Sequence, residues 1–303
     1  MLQTKEVTFT KIDARALADL APYFRGKWAG ICDMTVLYLH MWGALLGMEY
    51  AIVSNTLLLR RCRRGQYSYY PPLILGEDPA CRFGLASLYL LGDAAELTVC
   101  ALSQQALENL KELYKVSDIA TTRDYADYIY SAEDLATLSG KRFSKKRNLV
   151  HQFEKLYPCH TYEPLTAENL AEVTALAELV MAQNGEDRDK TYENARVLDV
   201  LRDYTELPLT GGVLRVNGEV AAFCVGELVD DTLYVHIEKA DRRYKGAYQY
   251  INRSYVRAMR ELQPFAYVNR EDDAGDEGLR QAKLSYNPLS LAYKYRAVVK
   301  IKE

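Results

Sequence analysis

The sequence predicts an α/β protein in which a mixed sheet is flanked by helices, with the pattern written twice along 303 residues. Three observations predict it. In the second half, strand-like and helix-like segments follow one another in the order β, α, α, β, β, β, α, β, α, with a final strand. Asn217-Gly218 joins two apolar strands there, and this pair is the preferred chemistry of a tight hairpin, because both central residues of such a turn need positive φ. The first half repeats the strand and helix rhythm more faintly, as a duplicated unit would.

Taken in order, the first half reads as a strand over 6–12, a helix over 14–24, and a hairpin of 50–53 with 56–61 around Ser54-Asn55. A strand-like run over 67–75, a helix over 79–91, a strand over 96–101 and a helix over 104–114 follow. Ser131 then caps a helix start, and a basic stretch from Gly140 to Asn148 leads into a helix ending near Leu156. The boundary is placed within 130–145, giving domains 1–135 and 136–303. In the second domain 159–165 is a short strand, and Thr166 caps a helix over 168–181. A second helical segment covers 192–204. The hairpin pairs 211–216 with 219–226, a strand covers 232–237, and a helix runs from Gly246 through Met259. A strand over 265–268, a helix opened by 276–278 and a closing strand over 291–301 complete the domain.

Composition narrows the classes. Hydrophobic residues at 49% and charged residues at 26% suit a globular protein with a substantial core. A formal net charge of -3 excludes a chain that wraps nucleic acid by bulk charge, while leaving room for a local basic patch. The six cysteines show no C-x-x-C spacing and read as reduced thiols, and His40, His151, His160 and His236 are not at helical ligand spacing, so no metal centre is expected. The most apolar neighbourhood, 34–52, is interrupted by His40, Gly43, Gly47 and Glu49 and is expected to be a core helix. The N-terminus lacks the pattern of a secretory signal, and the expected location is the cytoplasm. With 24 Tyr against 7 Phe, many rings should sit where a hydroxyl can find a partner, at wet interfaces or cleft walls.

The chemistry is expected at two loaded strand ends. His236, Glu238 and Lys239 close one strand, and Lys245 and Gly246 then open a helix whose free N–H groups favour an anionic or acyl ligand. Glu238 is the candidate general base, with His236 two positions away and therefore expected on the same strand face. At the end of the next strand, Asn269 and Asp272 could orient an ester or an acceptor, and Arg270 could neutralise a phosphate or a developing oxyanion. Arg280 and Lys283 share a helical face, with Tyr286 beyond them. Lys141, Arg142, Lys145, Lys146 and Arg147 form a basic run with Phe143 inside it, a candidate contact for tRNA phosphates or an anionic membrane surface. Arg60, Arg61, Arg63 and Arg64 form a similar cluster in the first half. Each group also has a plainer reading: paired carboxylates, a hydrogen-bonded strand histidine, or a solvated basic face.

Together, Gly140-Lys-Arg-x-x-Lys-Lys-Arg-Asn148, Gly211 to Val216, His236 to Ala240, Lys245 to Gln249, Asn269 to Asp272 and Gly278-Leu-Arg-x-x-Lys-x-Ser-Tyr286 resemble a phosphatidylglycerol lysyltransferase C-terminal-like family of bacterial proteins. The resemblance implies tandem acyl-CoA N-acyltransferase (GNAT-like) domains, the cleft lying in 136–303 and 1–135 lacking a site of its own. It also implies transfer of an acyl or aminoacyl group from acyl-CoA or aminoacyl-tRNA to an amine or hydroxyl, with no tightly bound cofactor. By the same likeness, Tyr286 would protonate the departing group. The stretch from Arg243 to Tyr248 departs from the acyl-CoA pyrophosphate loop, since Tyr248 stands where a small residue is usual. The alternative is a non-catalytic module of the same fold that binds a small anionic metabolite, a peptide or a protein.

Overall fold

Two units interleave along the chain. In the computed structural model, which describes residues 7–25, 30–75, 96–183 and 188–301, one unit takes Met1–Asp127, Asp272–Asp276 and Leu291–Glu303. The other takes Tyr128–Glu271 and Glu277–Ser290. The sequence boundary at 135/136 thus falls inside the second unit.

In the first unit β1 (Thr10–Lys11), α1 (Ala14–Leu20) and α2 (Val36–Trp42) precede β2 (Met48–Val53), β3 (Thr56–Arg63), β4 (Gln66–Tyr69) and β5 (Leu73–Ile74). Then come β6 (Leu97–Leu102), α3 (Gln104–Leu113) and β7 (Tyr114–Thr121). The Asp13 carboxylate caps α1 by accepting from the Ala16 N–H at 2.8 Å, and the Ser103 hydroxyl caps α3 by accepting from the Ala106 N–H at 3.1 Å. Leu107 and Leu110 of α3 pack with Leu97, Val99, Leu102, Ala297 and Val299 of the sheet. The helix expected over 34–52 is confined to α2; the chain turns after Gly43 and re-enters as β2. The helix expected over 79–91 lies outside the described residues.

The closing strand requires a correction. It was expected to finish the second domain, yet β15 (Tyr295–Ile301) lies between β6 and β7 in the first sheet, Val298 facing Thr98 on one side and Ser117 on the other. Its alternation is legible, with Ala297 and Val299 buried. Its partners are not, because pairing across such a sequence distance leaves no local periodicity. Among the described residues the order is β1-β2-β3-β4-β6-β15-β7, with β5 on β3.

The second unit begins at the second residue of β8 (Asp127–Ser131) and contains α4 (Ala132–Thr137), α5 (Ser144–Leu156), β9 (His160–Pro164), α6 (Leu170–Gln183) and α7 (Arg188–Asp203). It continues through β10 (Thr210–Val216), β11 (Glu219–Val229), β12 (Thr232–Ala240), α8 (Ala247–Leu262), β13 (Tyr267–Asn269) and α9 (Glu277–Leu284) to β14 (Ser290–Ala292). The sheet order is β14-β8-β13-β12-β11-β10-β9. The hairpin turn is as expected, with φ of 52° at Asn217 and 86° at Gly218. β12 and β13 are parallel and are joined by α8, as a crossover demands. A run of antiparallel strands is followed by one parallel step across a helix, and the mixed α/β class expected from the sequence is the one observed.

α8 buries Ala247, Ile251, Tyr255, Val256 and Met259 along one stripe. Its entry depends on Gly246, whose φ is 89° and where an added Cβ would lie 2.6 Å from the Leu149 carbonyl oxygen. No helix among the described residues is long and apolar enough to cross a membrane.

Candidate functional site

β12 outruns β13. Their pairing starts at Thr232 with Tyr267 and ends at Tyr234 with Asn269, while β12 continues to Ala240. Glu238 therefore stands beyond the last paired residue, where no strand covers that side. Arg270, the first residue after β13, fills the gap: its Nη2 donates to both Glu238 oxygens at 3.1 and 3.2 Å. Asn252 of α8 donates to Glu238 Oε2 at 2.9 Å. Both strand ends thus meet at one charge pair, and each side chain of the pair keeps only 13% of its surface exposed.

Aromatic rings complete the surround. The Arg270 guanidinium carbon lies 4.8 Å from the centre of the Tyr286 ring and 5.9 Å from that of Tyr130. Lys146 Nζ lies 4.1 Å from the centre of the Tyr286 ring. The backbone behind Arg270 is clamped: Lys283 Nζ donates to the Arg270 carbonyl at 2.5 Å, and Asn269 Oδ1 accepts from the Glu271 N–H at 2.7 Å. The Tyr130 hydroxyl in turn donates to the Lys283 carbonyl at 2.9 Å.

Burial and charge tune these groups. Burial alone would favour loss of the Arg270 proton, but Glu238 outweighs it and holds the guanidinium charged. Burial, reinforced by the Arg270 charge, pushes the Lys146 ammonium down to about 8 against the opposing pull of Glu238. Burial pushes the Tyr286 phenol up, so it stays protonated as a donor. Two buried polar atoms here have no hydrogen-bond partner among the described residues, Arg270 Nη1 and Asn252 Oδ1. Leaving such an atom unpaired costs about 1–3 kcal/mol. A ligand that accepts from one and donates to the other would recover that cost.

Of the expected site residues, Glu238, Arg270, Tyr286, Lys283 and Asn269 come together, and Lys146 joins them from the basic run. The expectation that His236 shares a face with Glu238 is overturned. The register of β11 with β12 shifts between Val225 and Gly226, which leaves His236 as an extra, bulged residue and breaks the alternation. Its Nδ1 lies 2.6 Å from Glu271 and its Nε2 3.4 Å from Glu227, with the ring fully buried. Burial opposes the imidazolium, yet these two carboxylates raise it to about 9.

The other expected residues lie elsewhere. Lys239 pairs with Glu193 of α7 at 2.7 Å, and Arg280 with Glu277 at 3.8 Å. The Lys245 N–H donates to the Tyr157 hydroxyl at 3.3 Å, with Gly246 serving as the cap of α8. The basic run disperses rather than forming one stripe. Arg142 pairs with Asp134, Arg147 donates to the Leu138 and Gly140 carbonyls, and Lys141 and Lys145 are exposed.

Asp272 belongs to the first unit, where it joins a different cluster. Lys294 Nζ there meets Asp33 at 2.6 Å, Asp127 at 2.8 Å, Asp272 at 3.4 Å and the Cys32 sulfur at 3.2 Å. These carboxylates outweigh the burial of Lys294 and raise its ammonium well above the ordinary range.

Sequence reasoning missed Lys146 as a member of the site, and also Asn252 and Tyr130. Asn252 did leave a signal, being a polar residue beside Ile251 on the buried stripe of an amphipathic helix. The sequence pattern of the family described as "Phosphatidylglycerol lysyltransferase, C-terminal" matches residues 29–298. The chain belongs to this family. An uncharacterized protein of Mycoplasmoides gallisepticum is 27% identical over 194 residues, 62% of this chain, and the chain spans 60% of the length of that curated relative. A conserved protein of unknown function from Bacteroides thetaiotaomicron is 30% identical, and its crystal structure matches 97% of this chain and 100% of that one with a TM-score of 0.84. The structure of L-PGS from Bacillus licheniformis, 14% identical, shares the fold over 87% of both chains with a TM-score of 0.60.

Proposed function

We propose that the second unit of this family member transfers an aminoacyl or acyl group from an activated donor, aminoacyl-tRNA or acyl-CoA, to an amine or hydroxyl acceptor. The family's description supports the class of reaction. The observation that carries the reading is the Glu238–Arg270 pair beyond the end of β13, where Arg270 Nη1 and Asn252 Oδ1 have no hydrogen-bond partner among the described residues. In this reading Nη1 polarises the donor carbonyl and stabilises the oxyanion that develops on attack. Glu238 holds the attacking group and takes its proton. Lys146, with an ammonium near 8, delivers a proton to the departing group, and the Tyr286 ring and hydroxyl hold that ammonium and Arg270 in place. Lys283, Asn269 and Tyr130 fix the backbone that carries Arg270.

Glu238→Gln removes the acceptor of the proton while keeping the hydrogen-bonding shape. Its turnover in a transfer assay with charged tRNA and acyl-CoA donors should fall roughly 10²–10⁴-fold. Turnover equal to wild type would sink the assignment. The carboxylate already accepts from two partners, an observation that favours a non-catalytic binding role for the same residues, and saturable ligand binding without turnover from any donor would select that alternative.

A further inference from the structure

The first unit carries a charged hollow. The β3–β4 hairpin turns at Arg64-Gly65, and its register pairs Arg61 with Ser68 and Arg63 with Gln66. Side chains two apart on a strand share a face, so Arg61 and Arg63 stand side by side. Arg64 and Arg296 join them around a hollow of about 460 Å³, and Gln66 and Ser68 complete the lining. Among the described residues no carboxylate lines it.

The contrast with Arg60 is instructive. Arg60 is bound by Glu49 at 2.7 Å and lies 3.9 and 4.0 Å from the ring centres of Phe9 and Tyr67. None of the four arginines of the hollow makes a side-chain hydrogen bond or ion pair with another described residue. Asp33 acts on Arg61 without forming an ion pair with it, so the four like charges repel one another, and an anion between them reverses the sign of that interaction.

We propose that this face of the first sheet binds a ligand bearing two or more linked phosphoryl groups. The guanidinium fork matches phosphate oxygens in pairs. One phosphoryl group carries roughly two negative charges, too few to balance four guanidiniums, whereas a diphosphate or triphosphate comes close. Among the described residues no aromatic ring lines the hollow to stack a base, so the phosphates themselves are what is recognised. The volume lies within the range of small-molecule sites, which favours compact linked phosphates over an extended phosphodiester strand.

Titration calorimetry of the full chain at low salt, with inorganic triphosphate as the probe, tests this. Triphosphate should bind one per chain, and inorganic monophosphate at least tenfold more weakly. Arg63→Ala and Arg296→Ala, both at exposed positions, should each weaken triphosphate binding about tenfold with an unchanged circular dichroism spectrum. Arg202→Ala in the second unit should leave binding unchanged. No binding at millimolar triphosphate, or equal binding by the Arg63 and Arg296 variants, would overturn the proposal. Retention of a single-stranded RNA 20-mer with a steep salt dependence, alongside silence toward triphosphate, would overturn it in favour of a nucleic-acid surface.

Discussion

Lys294 of the first unit and Arg270 of the second are both buried cations, and their surroundings are completed differently. Lys294 meets three carboxylates and a thiol sulfur within 3.4 Å. Arg270 meets one carboxylate and lies over two rings, and its Nη1 has no hydrogen-bond partner among the described residues. A buried charge must be compensated or it destabilises the fold. Full compensation by the protein makes a scaffold. Partial compensation leaves a place that a ligand can finish, and this is why the chemistry is assigned to Arg270 and its neighbours.

Removing the Lys294 ammonium should have the largest effect. Lys294→Met strands Asp33 and Asp127 in a buried setting and should destabilise the first unit by about 3–5 kcal/mol in urea unfolding. A loss under about 1 kcal/mol would mean that the cluster is wet, and the contrast with Arg270 would collapse. Arg270→Lys keeps the charge but loses the planar fork. It should lower transfer roughly 10²–10³-fold while shifting the unfolding midpoint far less than Lys294→Met. A large stability loss with intact turnover would reverse the roles of the two cations.

His236 supplies a third comparison, since it is as enclosed as Lys294 yet sits two residues from Glu238. Its folded value is raised from 6.5 to about 9. A raised value means that the folded state holds its proton more tightly, so the contribution, about 3 kcal/mol, is fully present below pH 6.5 and lost as pH rises through 9. His236→Gln should therefore be destabilised at pH 6 and close to wild type above pH 9, with transfer per folded molecule little changed. Loss of transfer without loss of stability would return His236 to the reacting groups. The smallest effect belongs to Lys146. If its ammonium donates a proton, the transfer rate should fall as pH rises through about 8, and Lys146→Arg should move that limb upward. A pH profile that the substitution leaves in place would remove Lys146 from the chemistry.

The legible part of this molecule is its local part. The Asn217-Gly218 hairpin, the capped start at Ser131 and the helix opened at Gly246 follow from turn chemistry and periodicity, and each is found where those rules put it. The two polar strand ends were also visible, and Glu238 and Arg270 do meet. What the sequence concealed depends on register and distance. A single bulge sends His236 to Glu271 and Glu227, although the spacing of two predicts the face of Glu238. The basic run around Lys146 looks uniform, yet neighbouring positions on a helix point in different directions, so one lysine enters the site while Arg147 caps carbonyls. Asp272, next in sequence to the polar lattice, turns to Lys294 instead.

The placement of β15 has a consequence for synthesis. β6 and β7 leave the ribosome early, but the strand that belongs between them is encoded after every residue of the second unit. Vectorial folding ordinarily favours the N-terminal unit. Here the earlier sheet waits with an open slot, exposed to mispairing until translation delivers β15.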